Sequence, residues 1–348
     1  NWPDGSLIPP EILDPRQLPG KEYIMTSQTS NSVDRRRCLQ AGGIALAAST
    51  MGTPLLENAA LPAQDRTSSG WIDAHSHIWT RDVKKFPLAK GQTVADLDPP
   101  SFTSEELIQT AIAENVQRVV LIQHHIYHGW DNTYLIHAAE RYPGKFKVVG
   151  MVDDTEPNPA ETMRRLQKRH VSAFRITAWI RGSDKWLDGP GMDAMWKCGA
   201  DTNQAMCCLI DPRDLSAVDR MCQKHPDTPV VIDHFARIGV DGQIRQADVK
   251  QLCALARHQH VYVKVSAYYA LGKKQPPYLD LVPMIQQVYE AYGPQRLMWA
   301  SDSPYQLVDQ HTYRASIHLI RDGIDFLSSA DRDWLLRKTA EKVYFYKS

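Results

Sequence analysis

The stretch Trp71–Trp79, WIDAHSHIW, opens a pattern that repeats to the end of the chain. Short runs rich in β-branched and apolar residues alternate with longer segments of helical period. Most runs are hydrophobic almost throughout, as expected of parallel strands that are covered on both faces. Eight βα units predict an α/β fold of the (β/α)8, or TIM, barrel class. The eight runs lie at 71–79, 116–125, 146–153, 171–179, 205–211, 229–236, 261–269 and 296–305.

The segments between the runs carry helix signals. Residues 103–106, TSEE, have the composition of a capping box ahead of an apolar helical face. Asp211 stands before a proline, which is typical of the residue preceding a first helical turn. Gly293 predicts a helix end, and Pro283 indicates that this helix begins near the proline or is kinked there. An open, doubly wound sheet is the structural alternative; it is disfavoured because no glycine-rich phosphate loop follows the first run.

Charge and cysteine content restrict the classes of partner. The 348 residues include 40 basic and 40 acidic side chains, so no overall field attracts nucleic acid or an anionic membrane. We therefore expect a small-molecule substrate, no nucleic-acid partner and, for the mature form, no membrane partner. The six cysteines form no C-x-x-C pair and no zinc-ribbon spacing, which favours buried, reduced thiols. No pattern indicates an oligomeric state.

The chain before the first run differs from the rest. Residues 1–33 are mostly proline-rich, without periodicity, and are interpreted as a disordered N-terminal segment. Residues 34–63 include the arginines 35–37, followed by an Ala/Gly-rich apolar stretch too short to span a bilayer comfortably. This segment resembles a twin-arginine signal, which implies export by the twin-arginine machinery, to the periplasm. A basic linker is the alternative. Residues 70–348 make up the predicted barrel domain.

Polar side chains stand at the ends of several predicted strands, where TIM-barrel enzymes place their active sites. His75 and His77 are two residues apart on the first run, so their side chains share a face. Two imidazoles so placed could hold a divalent ion or polarise a carbonyl. His234 ends the sixth run, and Asp302 ends the eighth. Together these strand ends indicate one site more strongly than any of them alone.

Three motifs resemble the amidohydrolase superfamily: D-x-H-x-H-x-W in the first run, V-I-D-H in the sixth and W-x-S-D-x-P in the eighth. The stretch 209–237 and D-N-x-Y-L at 131–135 are similar to the amidohydrolase-2 branch, which includes the fuconolactonases and the 2-pyrone-4,6-dicarboxylate lactonases. The likeness covers roughly residues 71–346. It implies a TIM-barrel hydrolase that opens the lactone of a sugar acid or of an acidic ring metabolite.

The resemblance also implies roles for single residues. Asp302 matches the aspartate that activates the hydrolytic water, and His75 and His77 match the pair that faces the scissile carbonyl. His234 matches the sixth-strand histidine of the substrate pocket. A guanidinium offers paired donors to a carboxylate, and the branch binds substrate carboxylates through arginines. The matching positions, for which surface or structural ion pairs are the alternative, are Arg175, Arg181 and Arg237.

The sequence departs from the superfamily pattern at the positions of metal ligands. The fifth run has no histidine at the position of a ligand in metal-rich members, and Arg175 and Thr177 replace a bridging lysine or glutamate. The departures argue against a binuclear site. We expect either no metal or one divalent ion held by His75, His77 and Asp302. Zinc is the first candidate for that ion.

Two other functions stay open. Non-oxidative decarboxylases of the same superfamily resemble the chain in the first and eighth runs, but they bind zinc through the fifth-strand histidine that is missing here. A catalytically silent barrel that binds a sugar acid or an acidic aromatic metabolite is the other. His124, His125 and His128, after the second run, could form a substrate wall or an adventitious metal site, but they are interpreted as solvated loop residues without a role.

Overall fold

A computed structural model describes residues 70–180 and 185–346. All eight predicted strands are present, each shorter than the apolar run that predicted it. Each strand pairs in parallel with the next, in the order β1 to β8, so the predicted (β/α)8 barrel is confirmed. The strands are β1 (Trp71–Ser76), β2 (Val116–Ile122), β3 (Phe146–Gly150), β4 (Val171–Thr177), β5 (Ala205–Leu209), β6 (Val230–Ile232), β7 (Val261–Val265) and β8 (Leu297–Trp299).

Helices follow the strands. In the described ranges they are α1 (Ser104–Ile112), α2 (His125–His128), α3 (Thr133–Arg141), α4 (Pro159–Gln167), α5 (Pro190–Thr202), α6 (Leu215–Lys224), α7 (Gln246–Ala254), α8 (Val282–Tyr292), α9 (Tyr313–Arg321), α10 (Ser329–Asp333) and α11 (Thr339–Tyr344). None of the helices in these ranges has the length and apolarity needed to cross a membrane. The predicted segments 1–33 and 34–63, and Arg181, lie outside the described residues.

The predicted helix boundaries are largely confirmed. Thr103 caps α1: its Oγ1 accepts from the backbone N–H of Glu106, and Glu106 Oε2 accepts from the N–H of Thr103 at 2.6 Å. Pro283 lies in the first turn of α8, and Gly293, at φ 72°, ends that helix. One boundary differs, because Asp211 precedes a short 3-10 turn and α6 begins only after it.

Backbone hydrogen bonds between β1 and the segment after β8 close the barrel. The N–H of Asp302 donates to the carbonyl oxygen of His75 at 2.9 Å, and the N–H of His77 donates to that of Ser303 at 2.7 Å. The hydroxyl of Ser76 donates to the same Ser303 oxygen at 3.0 Å. Closure of the barrel therefore brings the first-strand histidines beside the eighth-strand aspartate.

The apolar core has two layers, one inside the barrel and one between the strands and the helices. On β7 the alternation is plain, because Val261, Val263 and Val265 pack outward and Tyr262 packs inward. This double coverage explains why the runs are hydrophobic almost throughout. The inner layer includes Ile72, Ala74, Val120, Ile122, Val149, Ala173, Ala205, Cys207, Val231, Met298 and Tyr344.

The cysteines are free thiols in the part of the chain that the structure describes. Cys207 and Cys208 are fully buried on β5, as expected. Burial raises the pKa of the Cys207 thiol to about 12, so at neutral pH it stays protonated and packs as a small apolar group.

Candidate active site

Four residues predicted for the site meet at the carboxyl ends of β1, β6 and β8. Asp302 Oδ1 lies 3.4 Å from His75 Nε2 and 3.5 Å from His77 Nε2. Asp302 Oδ2 lies 3.8 Å from His234 Nε2. Each of the four residues is at most 5% exposed, so charges and dipoles interact there more strongly than in water.

An irregularity in β1 aims the histidine pair. Ile72 and Ala74 pack inside the barrel, yet His75 also contacts an interior side chain, that of Lys264. The register between β1 and β2 shifts between Asp73 and Ser76, so strict alternation fails at this point. Strand irregularities of this kind re-aim side chains next to active sites.

The backbone after β6 has an uncommon conformation. His234, Phe235, Ala236 and Arg237 all have φ between 52° and 57°. L-residues avoid this left-handed region at a cost of about 1–2 kcal/mol each. Strained backbone of this kind is concentrated at functional sites. Here the left-handed turn brings both His234 and Arg237 to the wall of one cavity.

That cavity lies at the barrel mouth. His77, His234 and Asp302 contribute to its wall, whereas His75 lies behind them, fully buried. The two first-strand histidines therefore have different positions. His77 reaches the cavity, whereas His75 lies beneath its wall and contacts His77 and Asp302. The cavity is lined by His77, His124, Arg175, Leu209, His234, Arg237, Val240, Ala267, Tyr269, Ala270, Leu271, Asp302 and Tyr305.

The partner of Asp302 in the cavity wall is Tyr269, whose hydroxyl donates to Asp302 Oδ2 at 2.8 Å. Burial by itself would raise the pKa of Asp302, but the positive charge that the rings of His234 and His75 gain as the pH falls holds that pKa well below its usual value. The carboxylate is thus ionised at neutral pH. Burial also lowers the pKa of His234, to about 4, so this imidazole is neutral there.

The hydrogen bonds around His75 and His77 fix their tautomers. His77 Nδ1 lies 3.0 Å from the carbonyl oxygen of Ile122, which only accepts, so Nδ1 carries the hydrogen and Nε2 a lone pair. His75 Nδ1 lies 3.1 Å from Lys264 Nζ. A lysine ammonium only donates, so Nδ1 of His75 accepts. Burial and the Lys264 charge lower the pKa of His75 well below its usual value, so the ring is neutral and its Nε2 carries the hydrogen.

A consistent chain of donors follows. Lys264 donates to His75, His75 Nε2–H points to the lone pair of His77 Nε2 at 3.3 Å, and His77 donates to Ile122. Lys264 also forms an ion pair with Asp233 at 2.9 Å, and both side chains are fully buried. Sequence reasoning missed this pair. Its signal is a lysine inside the apolar run VYVKV, 261–265, because a charge in such a strand is buried only with a partner.

The arginines have different surroundings. Arg175, on β4, is buried and lines the cavity. Arg237 also lines it, but its Nη1 donates to Asp211 Oδ1 at 2.7 Å, and its guanidinium lies 5.1 Å from the ring centre of Trp179. The structure thus brings two of the three predicted arginines to the site and gives Arg237 the structural ion pair as well.

The histidines after β2 are not all solvated. His124 is buried, lines the cavity, and has its Nε2 2.6 Å from the hydroxyl of Tyr305. His128 is buried as well, with Nδ1 3.4 Å from the carbonyl oxygen of Pro87. The loop interpretation was therefore wrong for these two, because α2 folds against Trp79 and Tyr305 instead of extending into solvent.

Asp73 takes a structural place. Its carboxylate accepts from the N–H and hydroxyl of Ser301, from the N–H of His75 and from the hydroxyl of Tyr313. Burial raises the pKa of Asp73 to about 6 despite these donors. The residue ties β1 to the segment after β8 and to α9, and it contributes nothing to the cavity wall.

His75, His77 and Asp302 match a metal site in ligand type and spacing. Their candidate ligand atoms lie within 4.8 Å of one another, and imidazole with carboxylate suits zinc. The tautomer of His75 does not fit an ion, because its Nε2 carries a hydrogen where a ligand needs a lone pair. The cluster is thus compatible with one divalent ion in composition, and not in its present hydrogen bonding.

Comparisons with known proteins show likeness in sequence and in fold. The sequence model of the amidohydrolase family matches residues 72–346. An L-fucono-1,5-lactonase of Burkholderia ambifaria is 27% identical over 69% of this chain and 82% of its own. A 4-sulfomuconolactone hydrolase of Hydrogenophaga intermedia is 25% identical over 68% of this chain and 75% of its own. A crystal structure of an amidohydrolase from Burkholderia multivorans with bound zinc has a TM-score of 0.66 and 22% identity, covering 80% of this chain and all of that one.

Proposed function

The chain belongs to the amidohydrolase family, and we propose that it opens a lactone ring by hydrolysis, with Asp302 as the base. The observation that carries this proposal is an ionised, buried carboxylate in the wall of the cavity, beside His77 and His234. Two relatives that take their names from lactones, the fuconolactonase and the sulfomuconolactone hydrolase, support the substrate class.

Asp302 takes a proton from a water held over the lactone carbonyl as that water attacks the carbon. Its Oδ2 accepts from Tyr269, which orients the carboxylate. His75, from behind, directs its Nε2–H toward His77 and Asp302 Oδ1. The base is therefore held from two sides before substrate binds, which lowers the cost of orientation in the reaction.

The developing oxyanion needs a donor at the cavity wall. His234 fills this role when the hydroxyl of Ser266, 2.8 Å from its Nδ1, donates to that nitrogen and leaves the hydrogen on Nε2. Donors that are fixed in advance are worth a few kcal/mol each, about 3 kcal/mol in measured cases. The proton that Asp302 took from water then passes to the leaving alkoxide, which becomes the hydroxyl of the ring-opened acid.

The arginines set the substrate class. Arg175 lines the cavity wall, where its guanidinium binds an anionic group of the substrate, and Arg237, which also pairs with Asp211, suits a polar or anionic group. A lactone ring that carries a carboxylate, or the lactone of a sugar acid, could bind to both arginines. A decarboxylase is less supported, because Leu209 stands at the end of β5, where a zinc-binding histidine would be needed.

Turnover without added metal is expected. A zinc ion would polarise the carbonyl if bound, but His75 would first have to change tautomer to ligate it. Proton transfer and oxyanion stabilisation are both carried by side chains of the protein.

The test is a panel of sugar-acid and acidic-ring lactones, with released acid as the readout, on metal-stripped and zinc-supplemented protein. Asp302→Asn should lower kcat/KM by about 1,000-fold or more, because a general base is removed. Asp325→Asn, an exposed aspartate, is the matched control and should have no effect. Retention of most activity in Asp302→Asn, or release of carbon dioxide, would contradict the proposal.

Export is part of the same proposal. The arginines 35–37 before a short apolar stretch support a twin-arginine signal in residues 34–63 and a periplasmic location. Cell fractionation should find the protein in the periplasm, and replacing both Arg35 and Arg36 by lysine should retain it in the cytoplasm.

A further inference from the structure

We propose that Lys264 is a positioning residue that holds His75 in the tautomer with a hydrogen on Nε2, and so keeps the cluster of His75, His77 and Asp302 from binding a divalent ion. The inference deepens the proposed function and rests on it, since it explains how residues suited to zinc serve as a proton-handling site. Four observations carry it.

The first is the place of Lys264 in the barrel. It points inward from β7, is fully buried, and lies outside the wall of the substrate cavity as the described residues form it. Its Nζ lies 2.9 Å from Asp233 Oδ1, 3.1 Å from His75 Nδ1 and 5.6 Å from the ring centre of Tyr344. A buried ammonium in this place does not touch the substrate, and the cluster residue it contacts is His75.

The second is the direction of the hydrogen bond. An ammonium has hydrogens and no lone pair, so His75 Nδ1 must accept from it. A neutral imidazole has one hydrogen, which is then on Nε2. Metal-binding histidines show the opposite pattern, in which the nitrogen far from the ion donates to a carboxylate or carbonyl and the other nitrogen ligates.

The third is that Asp233 lies near enough to His75 to supply the hydrogen-bond pattern of a metal-binding histidine. Asp233 Oδ1 is 3.7 Å from His75 Nδ1. If Lys264 were absent, Asp233 would accept the hydrogen of His75 Nδ1, and His75 Nε2 would carry a lone pair. That lone pair would lie beside Asp302 Oδ1, 3.4 Å away, and beside the lone pair of His77 Nε2, 3.3 Å away. Three ligand atoms would then face one point.

The fourth is charge. The positive charge of Lys264 and the point at which a cation would be held lie on opposite sides of the His75 ring. Lys264 is buried, so solvent screens the repulsion between its charge and a bound cation only weakly. Asp233 balances Lys264, so replacing lysine by a neutral side chain leaves an additional negative charge beneath the cluster. Both effects of the replacement, on tautomer and on charge, favour a cation.

The experiment measures zinc binding by metal-stripped Lys264→Met. Titration calorimetry gives the affinity, and the metal content after dialysis gives the number of zinc ions retained. We expect the variant to bind zinc about 10- to 100-fold more tightly than the unsubstituted protein, a change typical of altering the partner of a ligating histidine. One zinc per chain should be retained, and Lys264→Met with His75→Ala should lose it. Lys147→Met, on β3 and partly exposed, is the matched control and should leave zinc binding unchanged.

Because Lys264→Met leaves Asp233 without its partner, the variant with both Lys264→Met and Asp233→Asn is prepared beside it. The amide oxygen that Asp233→Asn introduces can still accept from His75 Nδ1, so the gain in zinc affinity should persist in this uncharged pair. In the unsubstituted protein, the 15N chemical shifts of His75 should show the hydrogen on Nε2.

Tight zinc binding by the unsubstituted protein that His75→Ala abolishes would overturn the inference, as would a hydrogen on Nδ1 of His75. Unchanged zinc affinity in a folded Lys264→Met or double variant would overturn it as well. None of these readouts requires turnover, so failure of the lactone panel and failure of this inference are distinguishable.

Discussion

At the scale of single residues, the site depends on which partner each polar group has. Asp302 is ionised although it is buried, because imidazoles and a tyrosine hydroxyl surround it. His75 and His77 have the same side chain and differ in tautomeric role, because one faces an ammonium and the other a carbonyl oxygen. Residue type alone therefore assigns neither a base nor a ligand.

Replacement of Tyr269 by phenylalanine tests the support of the base. The hydroxyl donates to the ionised carboxylate of Asp302, so its loss removes a stabilising contact worth about 1.5–3 kcal/mol and raises the pKa of Asp302. The reaction needs the ionised form. The acidic limb of the kcat/KM profile of Tyr269→Phe should therefore move to higher pH. At neutral pH the carboxylate stays ionised, and activity should fall by about 10-fold because the base has lost the donor that orients it.

The profile is measured on the best lactone of the panel, down to the lowest pH at which both proteins stay folded. Tyr289→Phe, on the outer helix α8, is the control and should reproduce the unsubstituted profile. An acidic limb that stays in place, or moves to lower pH, would show that Tyr269 does not support the carboxylate.

At the scale of elements, strand ends and turns aim the side chains. The four left-handed residues after β6 carry His234 and Arg237 to the cavity, and the register shift in β1 brings His75 and His77 beside Asp302. Sequence periodicity predicted all eight strands but neither of these irregularities. The left-handed turn contains no glycine, so the usual sequence signal of such a backbone is missing there.

The left-handed turn predicts an uncommon tolerance at Ala236, which is buried with φ 53°. In Ala236→Gly the relief of left-handed strain, about 1–2 kcal/mol, offsets the loss of a buried methyl, about 0.8 kcal/mol. The free energy of unfolding should change by less than about 1 kcal/mol. Ala236→Val should lose about 3 kcal/mol, because a β-branched side chain is strained there and overpacks the core.

Ala173→Gly is the comparison, since Ala173 is equally buried but lies in β4. It loses a buried methyl and gives the unfolded chain more conformational entropy, with no strain to relieve, so about 1.3–1.8 kcal/mol should be lost. Urea unfolding measures all three variants. Equal losses in Ala236→Gly and Ala173→Gly would refute the account of the turn.

At the scale of the whole molecule, barrel closure and the active site share residues. The bonds that join β1 to the segment after β8 involve the backbones of His75, His77 and Asp302 themselves. Stability of the seam and geometry of the site are therefore coupled. Asp73 reinforces the seam through Ser301, with which it forms two hydrogen bonds.

Ser301→Ala should weaken the seam. It removes a donor to a buried carboxylate, which costs about 1.5–3 kcal/mol of unfolding free energy. Activity should fall as well, because the displaced seam carries Asp302. Ser172→Ala is the control: this serine is buried, and its hydroxyl bonds to no described residue, so the loss should be small. Unfolding in urea and kcat/KM are the two measurements, and similar losses in both variants would argue against the seam.

The sequence by itself determined the class of the fold and most members of the site. Eight apolar runs that alternate with helical segments require parallel strands under a layer of helices. Polar residues at the ends of those runs must then lie at one end of the barrel. His75, His77, His234 and Asp302 were found in this way. Periodicity is a local property, so it survives in the sequence without knowledge of any contact.

Only the tertiary structure decided what these residues touch. Lys264 meets His75 from 189 positions away, and His124 meets Tyr305 from 181 positions away. Asp211 occupies one side of Arg237, and His75 lies behind the cavity wall. Such contacts form only when the barrel closes, and a hydrogen's place on an imidazole is set by the partner that closure supplies. The sequence therefore names the ligands that a metal site would need, while the closed barrel decides whether they can act as ligands.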